Sequence, residues 1–479
     1  MKRVLLVRKL GFIFTAAVLL TVFSAVYSDA ASVTVKSAAG SINAKQVNVR
    51  SDASTKSSVV MKLKDNTPVT ILSELFTSPD GKRADVCWYR IKAKGKTGYV
   101  RASRVDGIRY FTVQGLTRTR VNYRSGPSIS CHRYGALSSG KNVTVYMKAK
   151  MRGSSSVWYQ IRVRGRIRYV IATRVTGRNS FEAGLIRQGF PESYRKKLIK
   201  LHKKHPNWVF KADKTNLSFN TVLTRETRDG VSLVYKSYPK SYRDRSSKSY
   251  RNGRYIAKDG SSWYNASKKV VAYYIDPRNF LNEDRIYMFE SLSYHSYQSK
   301  SAVRNVISGT ALIRYGFTAN MFYNAGKKYK ISPIFLASRA RQENGSGSIA
   351  LRGYTILGKK TYNPFNIGAF SGSNPVLNGL RYARLKGWTT KTRSVNGAAK
   401  YLAGQYVTNR QNTMYLQRFN VRNGKLRVAT HQYMTNTMAA YSEAYMTKTA
   451  YMKYHLTGKA IVFHIPVYSG MPSRTKLPK

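Results

Sequence analysis

Ser332-Pro333-Ile334-Phe335-Leu336-Ala337-Ser338-Arg339-Ala340-Arg341-Gln342-Glu343-Asn344-Gly345 reads as one helix and its ending. Ser332 is a good N-cap, and Pro333 suits the first helical position, where its missing N–H costs nothing. Ile334 to Ala337 open an apolar stretch, and the run Asn344-Gly345-Ser346-Gly347 stops the helix. Glu343 therefore falls in the last turn, beside a loop. The helix dipole at that end disfavours a carboxylate and raises its pKa, whereas the many surrounding Lys and Arg pull it down.

From Ser291 to Lys479 the chain holds two carboxylates, Glu343 and Glu443. Cleaving a glycosidic bond requires a carboxylic acid to protonate the leaving oxygen, so sugar chemistry in this half has few candidates. Ala439-Ala440-x-x-Glu443-Ala444 reads as a packed helix with a solvated Glu, which leaves Glu343. An inverting enzyme needs a second carboxylate about 6.5–9.5 Å away, and a retaining enzyme one at roughly 5–5.5 Å. Asp276, Glu283 and Glu290 precede this half and are candidates, although Asp276-Pro277 reads more readily as a helix N-cap. A third route, with the substrate's own N-acetyl oxygen as nucleophile, needs no second acid.

Downstream comes Tyr362-Asn363-Pro364-Phe365-Asn366-Ile367-Gly368-Ala369, then Gly387-Trp388, Gly397-Ala398-Ala399-Lys400-Tyr401-Leu402, Gln411-Asn412-Thr413-Met414-Tyr415 and His431-Gln432-Tyr433-Met434. Together with Ala337-Ser338-Arg339-x-x-Gln342-Glu343-x-Gly345, this ordered set resembles the bacterial endo-β-N-acetylglucosaminidases of glycoside hydrolase family 73, over roughly residues 290–450. The resemblance implies a mainly α-helical, lysozyme-like (α+β) domain with a glycan groove between lobes and Glu343 as general acid. It also implies that Gln342, Tyr362, Phe365, Asn366, Gln405, Tyr415 and Tyr433 bind substrate, with no cofactor and no metal. Arg410 and Pro364 depart from the family pattern near the groove. A muramidase or lytic transglycosylase would use the same groove and one Glu to cut the other glycosidic bond.

Upstream, Gly189-Phe190-Pro191 opens a helix over 194–202, and a weaker likeness runs to Asp276-Pro277-Arg278-Asn279-Phe280-Leu281. Residues 236–262, rich in Ser, Tyr, Arg and Lys, read as a polar excursion, either a disordered link or a substrate-side insertion. His202 and His205 read as solvated. Ile461 to Tyr468 read as a last strand.

Two copies of one unit precede this region. Val47-Asn48-Val49-Arg50-Ser51 recurs as Val121-Asn122-Tyr123-Arg124-Ser125, and Trp88-Tyr89-Arg90-Ile91 as Trp158-Tyr159-Gln160-Ile161. Short alternating strands separated by turn residues predict a small all-β barrel or sandwich in each copy. The N-x-R start, the W-Y-x-I centre and the G-Y-V close resemble the bacterial SH3-like domain, implying wall binding. Copy two has Arg168 where the closing Gly is usual, and copy one has Asp52-Ala53 for Gly-Pro. The expected organisation is therefore a signal at 1–30, SH3-like barrels at 40–107 and 108–177, a linker and extension at 178–289, a catalytic domain at 290–470 and a basic tail at 471–479.

Four Lys and Arg residues within 1–9, the apolar run Leu10 to Val26 and the small residues before Ala31 form a secretory signal, with an uncleaved anchor as the alternative. Cys87 and Cys131, the two cysteines, are too few for a disulfide scaffold in an exported chain; they read as free thiols, with one bridge between them as the alternative. No cysteine after Cys131 means no thiol peptidase in the C-terminal half, and the seven histidines form no H-E-x-x-H zinc site. A net charge of +64 calls for an anionic partner, and outside the cell that is a wall polymer such as teichoic acid, not nucleic acid. The 36 tyrosines offer flat, polar-tipped faces suited to sugar rings. A secreted, wall-associated monomer acting on peptidoglycan glycan strands is the resulting expectation, with a non-catalytic wall-binding protein as rival. Wall binding should fall steeply between low and moderate salt and weaken on walls stripped of teichoic acid; equal binding in a co-sedimentation assay would show that the repeats recognise glycan or peptide directly.

Overall fold

The computed structural model describes residues 33–77, 86–344, 348–369, 374–422, 424 and 426–479. The signal reading over 1–30 lies outside them. Among the described residues no helix is long and apolar enough to cross a membrane. The chain divides into an N-terminal β-rich region and a mainly helical C-terminal region.

The first copy of the repeat supplies β1 (Ala38–Ile42), β2 (Gln46–Arg50), β3 (Val59–Lys64), β4 (Pro68–Thr77), β5 (Val86–Ala93), β6 (Lys96–Arg101) and β7 (Val105–Arg109). The second supplies β8 (Val113–Thr117), β9 (Val121–Arg124), β10 (Arg133–Leu137), β11 (Asn142–Met151), β12 (Trp158–Val163), β13 (Arg166–Ile171) and β14 (Val175–Gly177). Side chains alternate as a half-buried strand requires: β11 buries Val143, Val145, Met147 and Ala149 at every second position.

Each copy has its own apolar cluster, one around Val49, Ile71 and Ile91, the other around Val145, Ile161 and Val170. A third joins them, built from Phe76, Ala149, Trp158 and Tyr169. Strand β12 is therefore covered on both faces, Tyr159 and Ile161 by their own copy and Trp158 by the junction. There β4 and β11 pair in parallel, Ala149 opposite Glu74 and Met151 opposite Phe76. Glu74 is buried and accepts from Gln160 Nε2 at 2.7 Å, and burial pushes its carboxyl up to about 8. The departures from the repeat pattern have local uses. Asp52 pairs with Arg152 of the other copy at 2.6 Å, and the Arg168 guanidinium lies 3.8 Å from the centre of the Tyr134 ring. Cys87 and Cys131 are free.

Helix α1 (Phe181–Gln188) follows directly, capped by Ser180, with Ala183 and Ile186 packed on Leu116 of β8. Glu182 binds Arg118 at 2.8 Å and Arg195 of α2 (Glu192–Lys204) at 3.4 Å, which clamps the β-rich region to the helical one. Then come β15 (Val209–Ser218), α3 (Phe219–Glu226), α4 (Lys268–Ile275), α5 (Lys300–Ile307), α6 (Ala311–Arg314), α7 (Ala319–Tyr329), α8 (Pro333–Asn344), α9 (Ile349–Arg352), α10 (Pro375–Leu385), α11 (Lys391–Leu402), α12 (Met414–Arg418) and α13 (Ala439–Lys453). The last strand, Val462–Ser469, pairs in parallel with β15, Val209 opposite Val462. One apolar cluster runs from Leu185 to Tyr468, so residues 178–289 share the core of everything after them.

Residues 236–262 are neither a bare link nor featureless. Tyr250–Arg251 pairs with Arg254–Tyr255, and Ala257–Asp259 joins a three-stranded sheet with Leu233–Tyr235 and Trp263–Asn265. Stacking replaces aliphatic packing here, with Arg243 against the rings of Tyr255 and Tyr264. Nor are the two histidines simply solvated: His202 stacks on Phe181, and His205 on Trp208. The basic C-terminal stretch is docked, with Thr475 Oγ1 donating to Asp276 at 2.9 Å.

Gly98 is where β6 passes closest to β2; an added Cβ would lie 2.6 Å from Val49 Cγ1 and 2.8 Å from the Arg50 carbonyl oxygen. Gly98→Ala should cost about 1–3 kcal/mol, as overpacking does. Gly184→Ala, in α1 with nothing within 4 Å, should instead gain about 0.5–1 kcal/mol. Chemical denaturation of the two variants checks both signs.

Candidate active site

Helix α8 begins as its sequence dictates, with the Ser332 hydroxyl accepting from the Phe335 N–H at 3.1 Å and itself held by Gln298 Nε2 at 2.9 Å. Ile334, Phe335, Leu336, Ala337 and Ala340 are buried, so the helix is fixed in the core and its last turn is held rigidly. Glu343 stands in that turn, half-buried. Residues 345–347, which follow it, lie outside the described residues.

The loop 362–369 is fastened to this turn by amides. Asn344 Nδ2 donates to Ala340 O at 2.8 Å and to Pro364 O at 2.6 Å, while Asn366 Nδ2 donates to the Glu343 carbonyl at 3.1 Å. Asn363, buried, closes the loop on itself by accepting from Ile367 N–H and donating to Ile367 O. Asn366 has a left-handed backbone (φ +50°), which asparagine tolerates better than most residues.

Arg339, one turn before Glu343 on the same helix, is buried and makes a two-pronged ion pair with Glu443 of α13, at 3.1 and 3.3 Å. Its guanidinium also lies 4.3 Å from the ring centre of Tyr433, which packs edge-on against Tyr406. Burial works against the charge on Arg339, and Glu443, Tyr433 and Glu343 more than restore it. Burial raises the Glu343 carboxyl above the ordinary range; Arg339 and hydrogen bonding from Asn366 and Tyr433 oppose the rise, and the Glu443 charge adds to it. The outcome is a half-buried carboxyl raised above its ordinary range at a helix end, with an amide and a phenol beside it.

Of the residues expected to touch substrate, Asn366 and Tyr433 adjoin Glu343, and Gln405 is exposed near them, its Oε1 3.4 Å from His431 Nε2. Tyr362 is half-buried against Phe317 and Lys391. Gln342 is exposed on another flank of α8, over a cavity of about 590 Å³ that it lines with Arg339, Glu443 and Glu290. Two others of the expected residues are buried rather than exposed. Phe365 is 2 % exposed and packs on Phe322, anchoring its loop from beneath. Tyr415 is fully buried, with its hydroxyl donating to Ile275 O at 2.6 Å and pairing with Tyr468 at 2.6 Å. Both are large rings whose burial outweighs any use at a surface.

The proposed second acids are each engaged elsewhere. Asp276 caps the turn Pro277–Phe280 and holds Arg278 at 2.9 and 2.7 Å. Glu283 binds Lys204 and His205, and Glu290, pushed up to about 8 by burial, accepts from Tyr451 and Tyr297. Glu443 is not the solvated residue expected from its sequence. It is 7 % exposed, because a buried guanidinium on α8 needs a counter-charge. The signal for this was available: an Arg four residues before Glu343 on an apolar helix, and a single further carboxylate to neutralise it.

Residues 45–106 match the family model for the bacterial SH3 domain, and the chain carries that domain there. A 218-residue stretch is 34% identical to a beta-N-acetylglucosaminidase of Bacillus subtilis, covering 44% of this chain and 24% of the relative. A 216-residue stretch is 32% identical to a bifunctional autolysin of Staphylococcus epidermidis, covering 43% of this chain and 16% of that protein. The chain thus spans a quarter or less of the length of these curated relatives. Among solved structures it is similar to S. aureus glucosaminidase B, at 24% identity and a TM-score of 0.42, over 56% of this chain and 97% of that one.

Proposed function

We propose that this chain is a secreted, wall-associated peptidoglycan hydrolase that cleaves the β-1,4 bond after N-acetylglucosamine, with Glu343 as general acid. The observation that carries the reading is the Glu343 carboxyl itself. It is raised by burial, it sits at a helix end between Asn366 and Tyr433, and it lies in a chain that shares a long stretch with a beta-N-acetylglucosaminidase. The helical half would be the lysozyme-like catalytic domain, Asn366, Gln405, Tyr433 and Tyr362 its groove residues, and the two repeats SH3-like barrels that hold the monomer on peptidoglycan and anionic wall polymers such as teichoic acids.

Both oxygens of Glu443 are engaged by Arg339, and Asp276, Glu283 and Glu290 have partners of their own. Among the described residues, each of these four candidate second acids is thus engaged by a partner other than Glu343. This favours attack by the substrate's own acetamido oxygen as Glu343 protonates the leaving oxygen.

Glu343→Gln should reduce clearing of wall-embedded gels by at least the roughly 10²–10⁴-fold that a positioned acid contributes, while leaving wall binding intact. Unchanged clearing would refute Glu343 as the acid, and wall binding without any clearing by the unmodified chain would favour the non-catalytic reading. Borohydride reduction of the digest should yield reduced N-acetylglucosamine; reduced muramic acid or an anhydro-sugar end would point to the muramidase or transglycosylase instead.

A general acid must be protonated, so activity is lost as pH rises through the pKa of Glu343. Glu443→Gln removes a charge that raises that pKa and frees Arg339 to turn to Glu343, so the basic limb of the pH–activity profile should move to lower pH. Tyr433→Phe removes a hydrogen bond to the carboxylate, and the limb should move to higher pH.

A further inference from the structure

Tyr433 lies on the irregular segment 429–437, which has no helix or strand of its own to hold it. Two of its residues, Ala429 (φ +58°) and His431 (φ +54°), have left-handed backbones, uncommon for any residue but glycine. Such conformations cost on the order of 1–3 kcal/mol each and persist only where the surroundings impose them.

The surroundings that do so come largely from the region before the catalytic half. Glu226, at the end of α3 and fully buried, accepts from Gln432 Nε2 at 2.6 Å, from Ser232 Oγ at 2.9 Å and from Arg418 at 3.2 Å. Arg418, also buried, passes the connection back to the segment through Asn436 O at 2.8 Å and Thr435 O at 3.1 Å. Leu233 N–H donates to Thr435 O, Thr437 N–H donates to Leu233 O, and Arg228 donates to Ala429 O at 3.0 Å. Residues 226–233 thus grip the segment at 429, 432, 435 and 437, on both sides of Tyr433. Tyr433 itself adds one main-chain bond, to Gln417 O.

We infer that Glu226 and Gln432 are positioning residues for the reaction, holding the Tyr433 ring on Arg339 and its hydroxyl toward Glu343. The inference rests on Glu343 being the acid. It gives residues 178–289 a catalytic duty as well as a packing one: the acid stands on α8, and a partner that tunes it is placed from α3. A buried carboxylate with three donors is also hard to replace, since removing one member leaves the others desolvated and unpaired.

The test uses the full chain with Gln432→Leu and Glu226→Gln, each alone and with Tyr433→Phe. Gln432 is partly exposed, so Gln432→Leu keeps the test informative if Glu226→Gln does not fold. The expected result is a kcat loss of about tenfold with little change in KM, a basic limb displaced to higher pH as in Tyr433→Phe, and a far smaller loss when Tyr433 is already Phe. Losses that multiply independently of Tyr433→Phe, or an unmoved pH limb, would reduce the cluster to a structural role and overturn the inference. If Glu343→Gln clears walls as well as the unmodified chain does, it is the assignment of the acid that fails instead.

Discussion

A buried guanidinium shared unequally between two carboxylates governs the helical half of this protein. Arg339 gives both of its prongs to Glu443 and lends Glu343 only its field. Had the pairing been reversed, the direct ion pair would pull the Glu343 carboxyl down instead of leaving burial to raise it. Truncating one partner of such a pair costs about 3–5 kcal/mol, because the other charge stays buried. Helices α8 and α13 are therefore locked together by the same contact that keeps the Arg339 guanidinium turned to Glu443 rather than to Glu343.

That lock depends on elements far apart in the chain. The pairing of β15 with Val462–Ser469 closes the helical region end to end, and the Glu226–Arg418 pair ties α3 to α12 inside the core. Residues 178–289 are built into this body through Phe190, Trp208 and Phe280 and cannot be regarded as a tether. The Glu182 clamp and the contact of Leu116 with Ala183 and Ile186 extend the same rigidity to the second repeat.

Local chemistry was legible wherever one residue decides a backbone choice. Ser332 and Pro333 start α8 where expected, and the Ile461–Tyr468 alternation marks the closing strand. The same holds for Asp276 as an N-cap and for the alternating strands of the repeats. What stayed hidden was direction in space. Phe365 and Tyr415 sit in motifs that resemble a glycan groove, but a motif does not say which of its aromatics points at solvent and which supports the others. Glu443 was hidden for the converse reason, since a lone charge on an apolar helix looks solvated until its partner is seen. Residues 236–262 hold few aliphatics, so hydrophobic periodicity was silent about a fold held by Arg–Tyr stacking.

The pairing of β4 with β11 has a geometric corollary. These are equivalent strands of the two copies, they run parallel, and they meet along equivalent edges, because each turns its other edge to its own partner, β5 or β12. The copies are therefore related by a half-turn about an axis lying along the strands, which exchanges the two faces of the shared sheet. Whatever surface one repeat offers on the near side, its twin offers on the far side. A surface patch repeated in both copies therefore faces opposite sides of the shared sheet.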